Sequence, residues 1–181
     1  MRKATVRGQG FTLIEVLVTI AIVGTLAAVL APALINQLSK GDAGRFTSDL
    51  VAVQTAVGAF NSDTRRYPAT LLQLKTVPGS TDLDILSNQF GTVLVKKWRG
   101  PYLSKDLNGS NAMLTGSGAT ISAAFGTASY NGITYLTITA GPLTLNEFNN
   151  IDQIIDESAN SSTGQLTLSG TTATLVAVPI Q

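Results

Sequence analysis

Apolar positions are spread unevenly along this chain. Residues 11–35 form a nearly unbroken apolar run that contains one acid, Glu15. At about 1.5 Å of rise per residue, a helix over this run reaches roughly 30 Å or more, enough for the hydrocarbon core of a bilayer. Further on the pattern becomes one-sided. Phe46, Leu50, Val53, Val57 and Phe60 recur at alternating spacings of four and three, which predicts that the helix continues to about residue 60 with one apolar stripe suited to covering a sheet. Residues 36–44 are polar and include Gly41 and Gly44, so a bend or frayed turn is expected there. A helix continuous from Phe11 would be about 75 Å long, more than a small domain can bury. Its first half therefore belongs in lipid or against other subunits.

The remaining pattern is of short elements. Tyr67-Pro68 ends any helix, because the residue before proline avoids the α region. ATLLQLK, 69–75, predicts a short helix and Val77-Pro78-Gly79 a turn. Alternation in ITYLTIT, 133–139, predicts a half-buried strand, with QLTL at 165–168 and TLVAV at 174–178 as further strands. Between them LNEFNNIDQIIDE, 145–157, puts Phe148, Ile151 and Ile155 on one helical face, and Thr144 and Glu147 have capping-box spacing. Residues 108–132, rich in Gly, Ser, Asn and Ala, read as an exposed connection. The expected fold class is α+β, a long N-terminal helix, transmembrane in its first half, packed on a small antiparallel sheet head.

Composition narrows the function. A chain of 181 residues with 44% hydrophobic content builds one moderate domain beyond its anchor. A net charge of +1 and 13% charged residues supply no dense basic face for phosphates, so no nucleic-acid partner is expected. With no cysteine and no histidine, disulfides, thiolate or imidazole metal ligands and the commonest general bases are excluded. The first ten residues, MRKATVRGQG, carry Arg2, Lys3 and Arg7 and no acid. Because lysine and arginine stay cytoplasmic, this leader lies inside and everything after residue 35 faces outward.

Glu15 needs a reason to sit in an apolar run, since a carboxylate is costly in a bilayer unless paired. A cut between Gly10 and Phe11 would create a cation, the α-amine of Phe11, one helical turn away. Side chains lean toward the helix N-terminus, so Glu15 could meet the amine of its own chain as well as that of another copy. Geometry alone leaves both pairings open.

The stretch Gly10-Phe11-Thr12-Leu13-Ile14-Glu15, followed by VLVTIAIVGTLAAVLAPAL, closely resembles the processing site and N-terminal helix of type IV pilins and type II secretion pseudopilins. The resemblance implies cleavage after Gly10 by a membrane prepilin peptidase, methylation of the Phe11 amine, and pairing of Glu15 with Phe11 of a neighbouring subunit in a filament. It also implies close helix contact at Gly24 and a helix that can partly melt and lengthen in the assembled filament near Pro32, which lacks an N–H and crowds the carbonyl of Ala28. The implied domains are a leader at 1–10, a transmembrane and filament-core helix at 11–35, and a head at 36–181 that includes the amphipathic second half of the helix. The implied partners are further copies in a helical homo-oligomer, the bacterial inner membrane before assembly, the peptidase, a platform protein and a motor ATPase. The implied location is a single-pass inner-membrane protein that passes into a cell-surface or periplasm-spanning filament. RRYPATLLQL and WRGPYL are similar to landmarks of major pseudopilins. A secretory signal peptide cut near Ala31-Pro32-Ala33 is the plain alternative, but such apolar regions run about 7 to 15 residues and seldom hold an acid. A simple single-pass anchor leaves Glu15 unexplained.

Other candidates are weaker. Asp106, Asn108 and Ser110 begin like an EF-hand loop, but Asn111 and Ser117 occupy the positions that need glycine and glutamate. Asp152, Asp156, Glu157 and Asn160 gather hard oxygen ligands near a helix end, and the resemblance to major pseudopilins makes them a calcium candidate. The simpler reading is a solvated acidic helix end. No other cofactor is expected. Lys96, Lys97 and Arg99 read as a solvated turn, and Trp98 and Tyr102 as core anchors. An anchored adhesin that uses the helix only for export, and an anchored hydrolase using Ser, Asp or Lys, remain the alternatives from other classes.

Overall fold

The structure, a computed structural model, describes residues 11–180. Its first element is α1, Leu13–Thr64. The chain divides into two compact units, one ending at Leu38 and the other beginning at Ser39.

Among the described residues of the first unit the large apolar side chains are exposed. Phe11 is 86% exposed, and Leu13, Ile14, Ile20, Val23, Leu26, Val29 and Leu30 are all largely open. The helix here is long and apolar enough to cross a membrane. Its two mid-run hydroxyls are satisfied within the helix: Thr19 Oγ1 donates to the Val16 carbonyl and Thr25 Oγ1 to the Ile22 carbonyl, each at 2.8 Å. A polar group with no water nearby must find a partner in its own backbone. Helical structure passes through Pro32; the partial melting expected there belongs to the assembled filament.

In the second unit the stripe lies where its period places it. Ala43, Phe46, Leu50, Val53, Val57 and Phe60 of α1 are buried in one core with Leu136, Ile138 and Ala140 of the sheet. Each large apolar side chain buried this way contributes about 1.5–3 kcal/mol. The helix runs to Thr64, four residues past expectation, and residues 36–44 are helical rather than frayed.

Two short helices follow, α2 (Leu71–Lys75) and α3 (Gly91–Val95). The sheet comprises β1 (Met113–Leu114), β2 (Thr120–Ile121), β3 (Gly126–Tyr130), β4 (Ile133–Gly141), β5 (Leu166–Ser169) and β6 (Thr172–Pro179), with α4 (Leu145–Ile155) between β4 and β5. Strand order is β1-β2-β4-β6-β5, β3 pairs with β4, and every pairing is antiparallel. On β6 the core-facing residues are Ala173, Leu175 and Ala177, and Gln54 Nε2 of α1 donates to the Ala177 carbonyl at 2.7 Å.

One expectation is corrected. Residues 108–132 are not merely an exposed connection: they hold β1, β2 and β3, and Met113, Ile121 and Phe125 are buried. Two of these strands are two residues long, too short to show an alternation, and their apolar residues sit among Gly and Ser.

Candidate functional site

The first helix opens on a cap. Thr12 N donates to Glu15 Oε2 at 2.8 Å, Thr12 Oγ1 donates to the same oxygen at 2.9 Å, and Glu15 N donates to Thr12 Oγ1 at 3.3 Å. Thr12 and Glu15 thus form a capping box, which satisfies amide groups that the first turn leaves free. The sequence reading missed this role of Thr12, although the Thr-x-x-Glu spacing is the same as at α4. Phe11 precedes the cap and shares a surface hollow with Glu15, Val16 and Thr19, the spacing at which an apolar residue before the cap packs on one in the second turn. Among the described residues, the hydrogen bonds to the Glu15 carboxylate use Oε2 and Glu15 has no ion pair. The arrangement is a capped helix start that presents one carboxylate beside residue 11. Gly10 and the rest of the leader at 1–10 lie outside the described residues. Gly24 lies on a fully open face, with nothing near the position of an added Cβ.

At the other candidate, the structure joins two of four residues. Asp152 is fully buried on α4. Its Oδ2 accepts from the backbone N–H of Asn160 at 2.8 Å, while no N–H reaches Oδ1 among the described residues. Asp156, one turn on, accepts from Gln165 N at 3.0 Å and Leu166 N at 2.9 Å. The two carboxylates pin the return of the chain from α4 into β5. Burial, followed by the neighbouring Asp156, pushes the Asp152 carboxyl above its usual range. Glu157 is exposed, and the Asn160 side chain turns to Ser162, accepting from its N–H at 3.1 Å and its hydroxyl at 2.9 Å. Among the described residues there is no group of three or more carboxylates, imidazoles or thiolates around one point. The other acid loop is a plain turn: Asn108 Oδ1 accepts from Ser110 N and Ala112 N, and Asp106 pairs with Lys75.

The WRGPY segment anchors the head. Trp98 Nε1 donates to the Gln73 carbonyl at 3.1 Å. The Tyr102 ring meets Trp98 and Phe60 edge to face at centroid distances of 5.5 and 5.7 Å. Its hydroxyl donates to Asp63 and accepts from Arg99 N, each at 2.8 Å. Both aromatics are packing anchors, with Lys96, Lys97 and Arg99 exposed around them.

Comparison with known proteins agrees with this geometry. Residues 7–31 match the prokaryotic N-terminal methylation motif. The chain is 35% identical over 82 residues to the type II secretion system core protein G of Escherichia coli, covering 42% of this chain and 57% of that protein. It is 42% identical over 64 residues to the core protein G of Klebsiella pneumoniae, covering 35% of this chain and 46% of that one. These matches thus span about half the length of the secretion proteins. Similarity to fimbrial protein Q of Moraxella bovis is broader, 33% identity over 132 residues, covering 72% of this chain and 77% of that protein. No solved structure matches significantly. These relatives are named as secretion-core and fimbrial proteins rather than enzymes, and the apolar helix with its methylation motif fits anchoring in an inner membrane. The chain belongs to the type IV pilin-like family, which includes type II secretion pseudopilins.

Proposed function

We propose that this chain is a structural subunit of a type IV pilus-like or type II secretion pseudopilus filament, stored in the inner membrane by residues 11–35 with its leader in the cytoplasm and its head outward. The observation that carries this is the uncovered apolar length of α1 through Leu38, interrupted by a carboxylate that is held by its own cap and has no cation beside it among the described residues. Lipid covers such a surface in the stored form, and neighbouring copies of the same helix cover it in a polymer.

The mechanism follows from residue 11. Cleavage after Gly10 by a prepilin peptidase converts the Phe11 amide into a charged amine, which methylation leaves charged. Glu15 of an adjacent copy accepts from that amine, neutralising both charges as the helix leaves lipid and setting the register between copies. A motor ATPase and a platform protein in the membrane drive the transfer. Gly24 lets helices approach closely, and Pro32 supplies the point at which the helix can lengthen.

Glu15→Gln tests this, because glutamine keeps the capping box and removes the charge. The expected result is normal membrane insertion with a loss of at least tenfold in sheared, pelletable filaments; full assembly would remove the carboxylate from the mechanism. The adhesin alternative predicts a head that binds its ligand without any polymer.

Calcium is a second proposal. The buried Asp152 Oδ1, which no N–H reaches among the described residues, lies beside Asp156, and a hard cation there would neutralise the pair, with the Asn160 side chain turned from Ser162 to join it. Bound there, the ion would hold the return from α4 to β5.

A further inference from the structure

Charge is segregated along the head sequence. After Lys105 the chain has no lysine or arginine, yet it has Asp106, Glu147, Asp152, Asp156 and Glu157. The preceding stretch, 65–105, is cationic, with acids only at Asp82 and Asp84. Arg66, Lys75 and Lys105 are spent on ion pairs with Asp84, Asp106 and Asp49. Arg65, Lys96, Lys97 and Arg99 are exposed and have no carboxylate partner among the described residues.

The fold carries this segregation to two ends of one helix. Tyr102 packs on Phe60 and bonds Asp63, which seats residues 96–99 over the last turns of α1; Arg65 follows directly after its end. At the other end, Leu143, Glu147 and Ile151 share a hollow with Asp42 and Ala43. From Ala43 to Thr64 a helix rises about 30 Å. Asp42 is paired with Arg45 and Asp63 is held by Tyr102, while Lys40, exposed three residues before Ala43, adds one cation at the acidic end. Each end also has an apolar residue among its charges. Val93 is 69% exposed beside Lys96 and Lys97. On α4, Glu147, Asn150 and Ile154 stand at helical spacings of three and four, and Ile154 is 51% exposed, with Glu157 just beyond.

We infer that the exposed side of α4 and the turn after it, formed by Ile154 and Glu157 with Glu147 at the edge where its carboxylate caps the helix through Thr144, is the docking surface for the Val93, Lys96, Lys97 and Arg99 face of a second copy of this chain. The two faces are different patches on one molecule with opposite charge, so each copy offers one and uses the other. Contacts of that heterologous kind do not close as a two-fold dimer, and where the rotation between copies closes no ring they propagate into a helical filament. Opposite potentials fix partner and register, while the apolar pair at the centre excludes water. This rests on the filament reading and gives the head a part in it.

The chain has no cysteine, so introduced thiols report without background. In the full chain, expressed with its assembly machinery, Lys97→Cys with Glu157→Cys is expected to give a ladder of disulfide-linked multimers in sheared filaments after mild oxidation. Each single variant gives none. Lys96→Glu with Lys97→Glu is expected to lower filament yield about tenfold, and adding Glu157→Lys is expected to recover part of it, which a folding defect would not allow. Filaments that form normally in the charge-reversed chain, or double-cysteine filaments that give no ladder, overturn this surface and leave the filament reading standing. Absence of any filament from the unaltered chain overturns both.

Discussion

Leu50 and Val51 are adjacent on α1, yet Leu50 is 1% exposed and Val51 52% exposed. Alanine at each separates the stripe that builds the head from the face that leaves it. Leu50→Ala removes a side chain enclosed by the core with Phe46, Val53 and the sheet residues; the lost transfer energy and the residual cavity together cost about 2–5 kcal/mol. For a head of this size each kcal/mol lowers Tm by about 2–4 °C, so a fall of about 10 °C is expected. Val51→Ala leaves no cavity and replaces a β-branched residue with a better helix former, so its effect stays within about 0.5 kcal/mol. Thermal unfolding of the detergent-solubilised full chain, followed by circular dichroism, compares the two. Equal effects, or a fall below about 2 °C for Leu50→Ala, would refute the assignment of the buried stripe.

Other outcomes follow from named groups. Thr12→Ala removes the cap of α1 but keeps the Glu15 charge; because stored and assembled forms share the helix start, filament yield is expected to stay within about twofold, and a drop as deep as that of Glu15→Gln would contradict the separation of the two roles. Burial first, and then Asp63, raises the Tyr102 hydroxyl above its ordinary value of 10.0. The folded chain therefore holds that proton more tightly than the unfolded chain, and this stability is complete below pH 10 and lost as pH rises through the folded value. Tyr102→Phe is expected to reduce the alkaline fall in Tm, and an unchanged fall would show that another group causes it. Calcium added to the chelated chain is expected to raise Tm, with the rise absent in Asp152→Asn; a Tm indifferent to calcium would refute that site.

Much of this organisation can be read in the sequence because it repeats. A helical stripe states its period several times between Phe46 and Phe60, and β4 alternates over enough residues to be recognised. By contrast, β1 and β2 are two residues each, and they join the sheet only because β1 pairs with β2 and β2 with β4, a non-local fact. The helix α3, GTVLV, opens on glycine and contains three β-branched residues, Thr92, Val93 and Val95, so propensity argues against it. Glu15 combines two roles in one spacing, and its charge alone does not reveal the cap with Thr12. Asp152 and Asp156 are visibly one turn apart, but the amides that occupy them arrive from Asn160, Gln165 and Leu166, after a loop whose path no local pattern dictates.

A single negative charge in an apolar helix is useful only when residue 11 becomes a chain start and copies of the chain lie side by side. Mass spectrometry of the subunit recovered from sheared filaments reads this directly. The expected species begins at Phe11 and carries one methyl group on its amine. Filament subunits that retain the first ten residues, or begin at Ala33, would contradict the mechanism.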